Sequence, residues 1–593
     1  GPGAGFSTPL GTDVELGTAG SANPRTAHIW IGYTGTTDGD TANGSVTIRW
    51  EETGQEWVVP ISANTISRPT VALELVLDKS GSMAFNSGIP DLPKRIDVLK
   101  ASVPPLLEVI HEDNALGIVS FDHDAYDVMP VTVAGPPVFG AGRAAARAAL
   151  DAHAPNPAGN TAIGDGVERA HDHLAPETSY NVRAMVVLTD GHETAAKYIA
   201  DVDHLIDERV YAIGLGSAEQ IRPAALTALT NGTGGYLLLT GNLTSTDYFL
   251  LSKYYLQILA GVTNEDIVLD PQGQIGPGQT HRIPFRLNET DISVDVILLT
   301  PAPHVIRLAL ETPGGDLITP ASVAALPGAE FVVGTHASYY RFTLPVPIGA
   351  GAAAGQWQAV LTVDDKYYKR YLAQLEQNSK LYQQVVTHGV RYSVNVHAFS
   401  NLRLRARVGQ DSLEPGATLT LRAVLTEYGL PVEGRAKVHA ELQRPDGTQT
   451  TLALTEVEPG VFETTTLAAL GGVYRFRVLA HGRTLRGLPF TREQLLTGAV
   501  WKGGDDPLPT GADDPAEGDR RLCELLQCLL SQAVVSEKLE ARLRELGIHL
   551  AGLRRCLKGY CDRSERPATL ARLEVLQQPA VLSALRQLVN LPD

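Results

Sequence analysis

The chain has 593 residues, 44% of them apolar, with 57 glycines, 37 prolines and a formal net charge of −17. That length exceeds what one hydrophobic core supports and predicts about three to five domains. The acidic balance counts against nucleic acid and anionic membranes as partners, because phosphate binding needs clustered Lys and Arg, and no apolar run reaches the ~18–20 residues of a membrane span.

The start, Gly1-Pro2-Gly3 without Met, points to an expression scar over a removed N-terminal part, so residues 1–23 are expected to be disordered and to say nothing of localisation. Residues 24–69 read as β, with strand patterns at 28–33, 45–50 and 56–61 between Gly, Asp and Asn turns. Three strands are too few to stand alone, so they are expected to complete a sandwich farther along the chain.

Residues 70–264 alternate strand and helix as a doubly wound α/β domain does. Helices are expected over 95–110, 143–152, 161–173, 202–207, 223–230 and 245–260, with strands at 71–77, 115–121, 125–131, 184–189 and 210–215. The first strand ends in Asp78-Lys79-Ser80-Gly81-Ser82, a carboxylate and two hydroxyls on a tight turn. This is a hard-cation site in outline, since Mg²⁺ takes oxygen ligands and is usually held by only one or two carboxylates. Two later loops supply more oxygens, Thr161 at a helix start and Asp190 at the end of a second apolar strand. All of them fall where open α/β sheets place ligands, beyond the strands' C-terminal ends.

With these three loops in order, residues 70–264 resemble a von Willebrand factor type A domain with a complete metal-ion-dependent adhesion site. The resemblance implies that Asp78, Ser80, Ser82, Thr161 and Asp190 hold a divalent cation, Mg²⁺ or else Mn²⁺ or Ca²⁺, whose open position accepts an Asp or Glu carboxylate from a protein partner. It extends to the von Willebrand portion of calcium-activated chloride channel regulators and of large bacterial surface proteins. It also implies an extracellular or cell-surface location and no enzymatic activity, since the metalloprotease part of those regulators has no counterpart here. Because the chain is acidic, the rim around the cation is expected to be locally neutral or basic.

Residues 265–364 return to β and are expected to form a sandwich completed by 24–69 around an inserted α/β domain, an arrangement similar to integrin β-subunits. Residues 365–389, rich in Tyr, read as a helical connector. Seven short strands over 390–499 have immunoglobulin-like spacing, and 500–519 is an acidic Pro/Gly linker. The tail, 520–593, is helical and holds all four cysteines. A helical hairpin would pair Cys523 with Cys561 and Cys528 with Cys556, stapling helices too short to bury a core. A Cys₄ zinc site is the second reading and four free thiols the third. The fold class expected is therefore a multidomain α/β plus all-β chain with a C-terminal helical hairpin.

Phe121-Asp122-His123-Asp124 and His192-Glu193 combine acid and imidazole near the same loops, but no nucleophile accompanies them, and both read as polar rim. Neither a Gly-rich phosphate loop nor an HExxH or GxSxG motif is present. Two other functions stay open: an intracellular scaffold that recruits an ATPase, which reduced or zinc-bound cysteines would favour, and the recognition region of an enzyme whose catalytic part lies upstream. The oligomeric state is left open.

Overall fold

Strand β1 (Val71–Asp78) is buried at every position, as its uninterrupted apolar run requires of a central parallel strand covered on both faces. Leu73, Leu75 and Leu77 enter one hydrophobic cluster, and Ala72 and Val76 enter another. In the computed structural model, residues 40–64 and 68–505 are described apart from 347, 349–351 and 378, with residues 5–8, 12, 31–33 and 35. The remaining strands of this sheet are β2 (Ala115–Phe121), β3 (Ala125–Val133), β4 (Val182–Thr189), β5 (Arg209–Gly214) and β6 (Leu237–Leu239), in the order β6-β5-β4-β1-β2-β3. All pairs are parallel except β2 with β3.

One face is covered by α1 (Arg95–Ser102), α2 (Pro104–Val109), α3 (Ala141–Ala152) and α6 (Leu250–Val262), the other by α4 (Ile163–Leu174) and α5 (Ala224–Thr230). The single helix expected over 95–110 is two, α1 ending before Val103 and Pro104 opening the next, since proline lacks the amide that would continue the ladder. Alternation about β1 makes the junction of β1, β4 and β2 the switch point of the sheet.

Two antiparallel sheets follow. The first runs Ala329–Val333, Ala337–Thr343, Asp291–Leu299, Val390–Ser400, Asp266–Leu269 and continues into Pro489–Val500, and the second runs Thr280–Leu287, Gly355–Val363, Ile306–Glu311, Leu317–Ile318. Trp357, Phe285 and Phe342 stack in the core between them. Strands Thr41–Trp50 and Gln55–Asn64, expected to complete this sandwich, instead pair only with each other among the described residues. The place reserved for them is taken by Val390–Ser400, which aligns beside Asp291–Leu299 with Val296 opposite Val396. The boundary expected at 390 therefore moves past residue 400.

The short strands expected beyond residue 400 are present. Strands Pro489–Val500, Gly472–Arg483, Ala436–Gln443, Gln449–Glu458, Val461–Ala468, Ala417–Glu427 and Leu402–Gln410 form one continuous ladder. Its end strand, Leu402–Gln410, lies beside Pro489–Val500, which also pairs with Asp266–Leu269 through Ile267 opposite Glu493. There Gln494 accepts from Ala406 N at 2.8 Å and donates to Ala406 O at 3.0 Å. Strand 489–500 was not expected at all.

The tyrosine-rich segment forms helices Asp365–Gln374 and Lys380–His388, capped by Asp364 and Ser379. Tyr368 is buried and its hydroxyl donates to Val385 O at 3.0 Å, so the pair packs on the sandwich as a connector. No helix among the described residues is long and apolar enough to cross a membrane. The expected linker beyond 505, the helical hairpin, Cys523, Cys528, Cys556, Cys561 and their pairing all lie outside the described residues.

Candidate metal centre

Three loops meet at the C-terminal ends of β1 and β4. The first is fixed by its backbone: Lys79 N donates to Phe121 O at 2.9 Å and Gly81 N to Gly159 O at 3.1 Å. The second is clamped through Thr161, whose N–H donates to Thr194 Oγ1 at 2.9 Å while its carbonyl accepts from Thr194 N at 2.9 Å. The third begins at Asp190 and turns at Gly191, where a Cβ would lie 3.5 Å from Ser82 Oγ and 3.8 Å from Thr161 Oγ1. The residues singled out in all three loops thus converge.

Within the site the hydroxyls and carboxylates form a chain. Ser80 Oγ lies 3.0 Å from Ser82 Oγ, and Ser82 Oγ donates to Asp190 Oδ1 at 2.6 Å. Asp78 accepts from Ser80 N at Oδ1 and from Thr189 Oγ1 at Oδ2, each at 2.7 Å. Both carboxylates are fully buried. Burial, followed by the charge of Asp190, pushes Asp78 up to about 7 against the hydrogen bonds from Ser80 and Thr189. Burial likewise raises Asp190 against its bonds to Ser82 and Arg95. Two buried carboxylates whose charges interact disfavour each other's ionised form, and a cation bound by both would remove that cost. The donor set is oxygen throughout, as a hard divalent ion requires.

Residues 73–192 match the von Willebrand factor type A domain. No curated protein matches the chain. Among solved structures, the chain is similar to a von Willebrand factor type A protein from Catenulispora acidiphila, with 13% identity over 85% of this chain and 84% of that one and a TM-score of 0.27. An aerotolerance-related membrane protein from Bacteroides fragilis matches with 19% identity over 32% of this chain and 98% of its own, TM-score 0.27. Proximal thread matrix protein 1 from the mussel byssus, solved with a zinc-occupied adhesion motif, matches with 18% identity over 35% and 51%, TM-score 0.27.

Several residues of the von Willebrand domain that shape the site escaped the sequence reading. Arg95 Nη1 donates to Asp190 Oδ2 at 2.9 Å and to Asp190 O at 3.1 Å. Thr189 orients Asp78, as above. His153 Nε2 lies 3.1 Å from Asp78 O, and burial lowers its ring to about 4, so it meets that carbonyl as a neutral imidazole donor. Thr189 adjoins Asp190 in sequence and was open to discovery; Arg95 and His153 carry no local signal.

The two acid–imidazole stretches are braces. Asp122 pairs with Lys79 at 3.2 Å and its carbonyl accepts from Ala162 N at 2.7 Å, joining the first two loops, while Lys79 lies over the Tyr126 ring at 3.3 Å. His192 N donates to Gln220 O at 3.1 Å, and Glu193 accepts from Ile199 N at 2.6 Å. Two other groups bring His and carboxylates together, His111 with Glu265 and Asp295, and His171 with Asp207 and Glu208. Arg341 forks onto Asp295 and Arg183 grips Asp207, so both are ion-pair networks.

Proposed function

We propose that this chain is a non-enzymatic adhesion or assembly protein that binds an Asp or Glu side chain of a partner through a divalent cation held by Asp78, Ser80, Ser82, Thr161 and Asp190. The observation that carries this reading is the continuous Ser80–Ser82–Asp190 hydroxyl and carboxylate chain beside buried Asp78. A hard cation there, Mg²⁺ with Mn²⁺ or Ca²⁺ as substitutes, supplies a Lewis-acid position for an anionic oxygen. Ser80, Ser82 and Thr161 offer neutral oxygens, and Asp78 and Asp190 supply the charge. We place this capture outside the cell or at its surface; if the chain stays shielded from added protease on intact cells, that placement is wrong.

The test is calorimetric titration of chelator-treated protein with Mg²⁺, Mn²⁺ and Ca²⁺, beside the double variant Asp78→Ala with Asp190→Ala. Saturable binding that the double variant loses supports the reading. Equal binding by both proteins, or none by the wild type at millimolar ion, sinks it.

A further inference from the structure

We infer that Arg95 sets the charge of the metal centre, leaving a bound divalent ion one negative charge short and so reserving its open position for an anionic ligand. This rests on the metal reading above. The guanidinium is not a chance neighbour of Asp190. Its Nη1 reaches both the side chain and the carbonyl of Asp190, and its Nη2 donates to Gln220 Oε1 at 2.5 Å. Its backbone N–H donates to Phe85 O at 3.0 Å, and the Phe85 ring lies 5.8 Å from the guanidinium carbon. The pocket is built to this shape: at Gly216, whose φ is +135°, a Cβ would come within 3.2 Å of Arg95 Nη2. The side chain is 9% exposed and its carboxylate partner 0%, so solvent screens the pair weakly.

The charges decide what the centre accepts. Asp78 and Asp190 bring two negative charges, which alone would neutralise a divalent ion. Arg95 cancels one of them. A loaded centre then carries a net positive charge that one incoming carboxylate completes, whereas a neutral ligand leaves it unbalanced. The same excess charge opposes the bare ion, so Arg95 trades affinity for the cation against affinity for the ligand. This also answers how a chain of net charge −17 attracts an acidic partner: the positive charge is local and buried beside the site.

The experiment uses the full chain stripped of metal, with Mn²⁺ as ion and acetate as carboxylate probe. Mn²⁺ affinity is read by calorimetry, and acetate binding by the loss of water-proton relaxation from the Mn²⁺-loaded protein. Arg95→Gln is expected to tighten Mn²⁺ and weaken acetate, each by at least about tenfold, the lower end of what one unit charge at a few ångström is worth in a weakly screened site. Arg95→Lys, which keeps the charge, is expected to restore both toward wild type. Gln220→Glu leaves Arg95 in place and neutralises it from the exposed side, so it shifts both affinities as Arg95→Gln does and covers the case in which that variant fails to fold. Unchanged or weaker Mn²⁺ binding in folded Arg95→Gln and in Gln220→Glu overturns the inference alone. Absence of Mn²⁺ binding in wild type and variants together overturns the metal reading and this inference with it.

Discussion

Gln257 on α6 and Leu495 on the final described strand exchange two hydrogen bonds across 238 residues of sequence. Gln257 Nε2 donates to Leu495 O at 2.9 Å, and Leu495 N donates to Gln257 Oε1 at 2.6 Å. Gln257 is buried, and nearby Thr497 Oγ1 accepts from Leu239 N at 2.9 Å. Gln257→Leu leaves both part-buried backbone groups without these partners and is expected to cost about 1–2 kcal/mol. Urea unfolding followed by both far-ultraviolet dichroism and tryptophan fluorescence checks this; a loss under 0.5 kcal/mol would show the clasp to be incidental.

Glu108 at the other end of the domain takes a cluster of donors from one sandwich loop: Thr335 N and Oγ1 at 2.9 and 2.6 Å, His336 N at 3.2 Å, and Ala337 N at 2.9 Å. Burial works against its charge, but these bonds and the His336 imidazole outweigh it and hold the carboxyl below its usual range. Glu108→Ala is expected to destabilise by about 2 kcal/mol, since it leaves the buried Ala337 N and the part-buried Thr335 and His336 donors without this acceptor. Hydrogen exchange of residues 335–337 should rise in the variant; unchanged protection there would contradict the assignment.

Glu74, fully buried in the middle of β1, predicts the direction of a pH dependence. It faces Gly117 on β2, where a Cβ would lie 1.9 Å from Glu74 Oε2. Burial pushes it from 4.5 up to about 7, against the hydrogen bond and charge of His173 at 3.2 Å, with Asp127 on the far side of that ring at 3.0 Å. Between pH 4.5 and about 7 the folded chain keeps a proton that the unfolded chain has lost, so stability falls as pH rises through that window, by about 3 kcal/mol. The His173 ring is raised chiefly by its bond to Glu74, and its contribution likewise fades as pH rises through its folded value. Glu74→Gln should flatten the profile and gain stability above pH 7 while changing little at pH 4. A parallel pair of profiles would refute it.

Thr189 holds Asp78 at 2.7 Å without lying among the five oxygen donors. Thr189→Val preserves the shape of β4 and removes the donor. Orienting partners of metal ligands are generally worth 10–100-fold in affinity, so Mg²⁺ binding is expected to fall by about that factor with unfolding midpoints changed by under roughly 1 kcal/mol. Full-strength Mg²⁺ binding in the variant would show that Asp78 needs no such support.

The centre was legible in the sequence because its chemistry is compressed into short turns: Asp78, Ser80 and Ser82 stand together, and Thr161 and Asp190 sit at recognisable element ends. Arg95 was not, because it acts on a residue 95 positions away through a fold the local pattern does not encode. Strand 390–400 was recognised as a strand and assigned to the wrong neighbour, since a register such as Val296 opposite Val396 is a property of two distant segments. Strand 489–500 was missed because Arg492, Glu493 and Gln494 break its apolar alternation. All three are accounted for inside the fold: Arg492 pairs with Asp291 at 2.6 Å with both side chains fully buried, Glu493 pairs with Arg477 at 2.8 Å, and Gln494 bridges to Ala406. Buried polar residues with distant partners look like loop in a one-dimensional reading.

The Gln494 bridge has a bearing on solubility. Strand 402–410 would otherwise end the ladder with an open row of amides and carbonyls, the surface on which β-rich chains stick to one another. Strand 489–500, lying beside it through Gln494, covers part of that edge. The hairpin 41–64 has no such shield among the described residues, and Trp50, Trp57, Val58 and Val59 are exposed on it. Self-association of this chain should therefore start at the hairpin, and damage to the Gln494 bridge would open a second place for it to start.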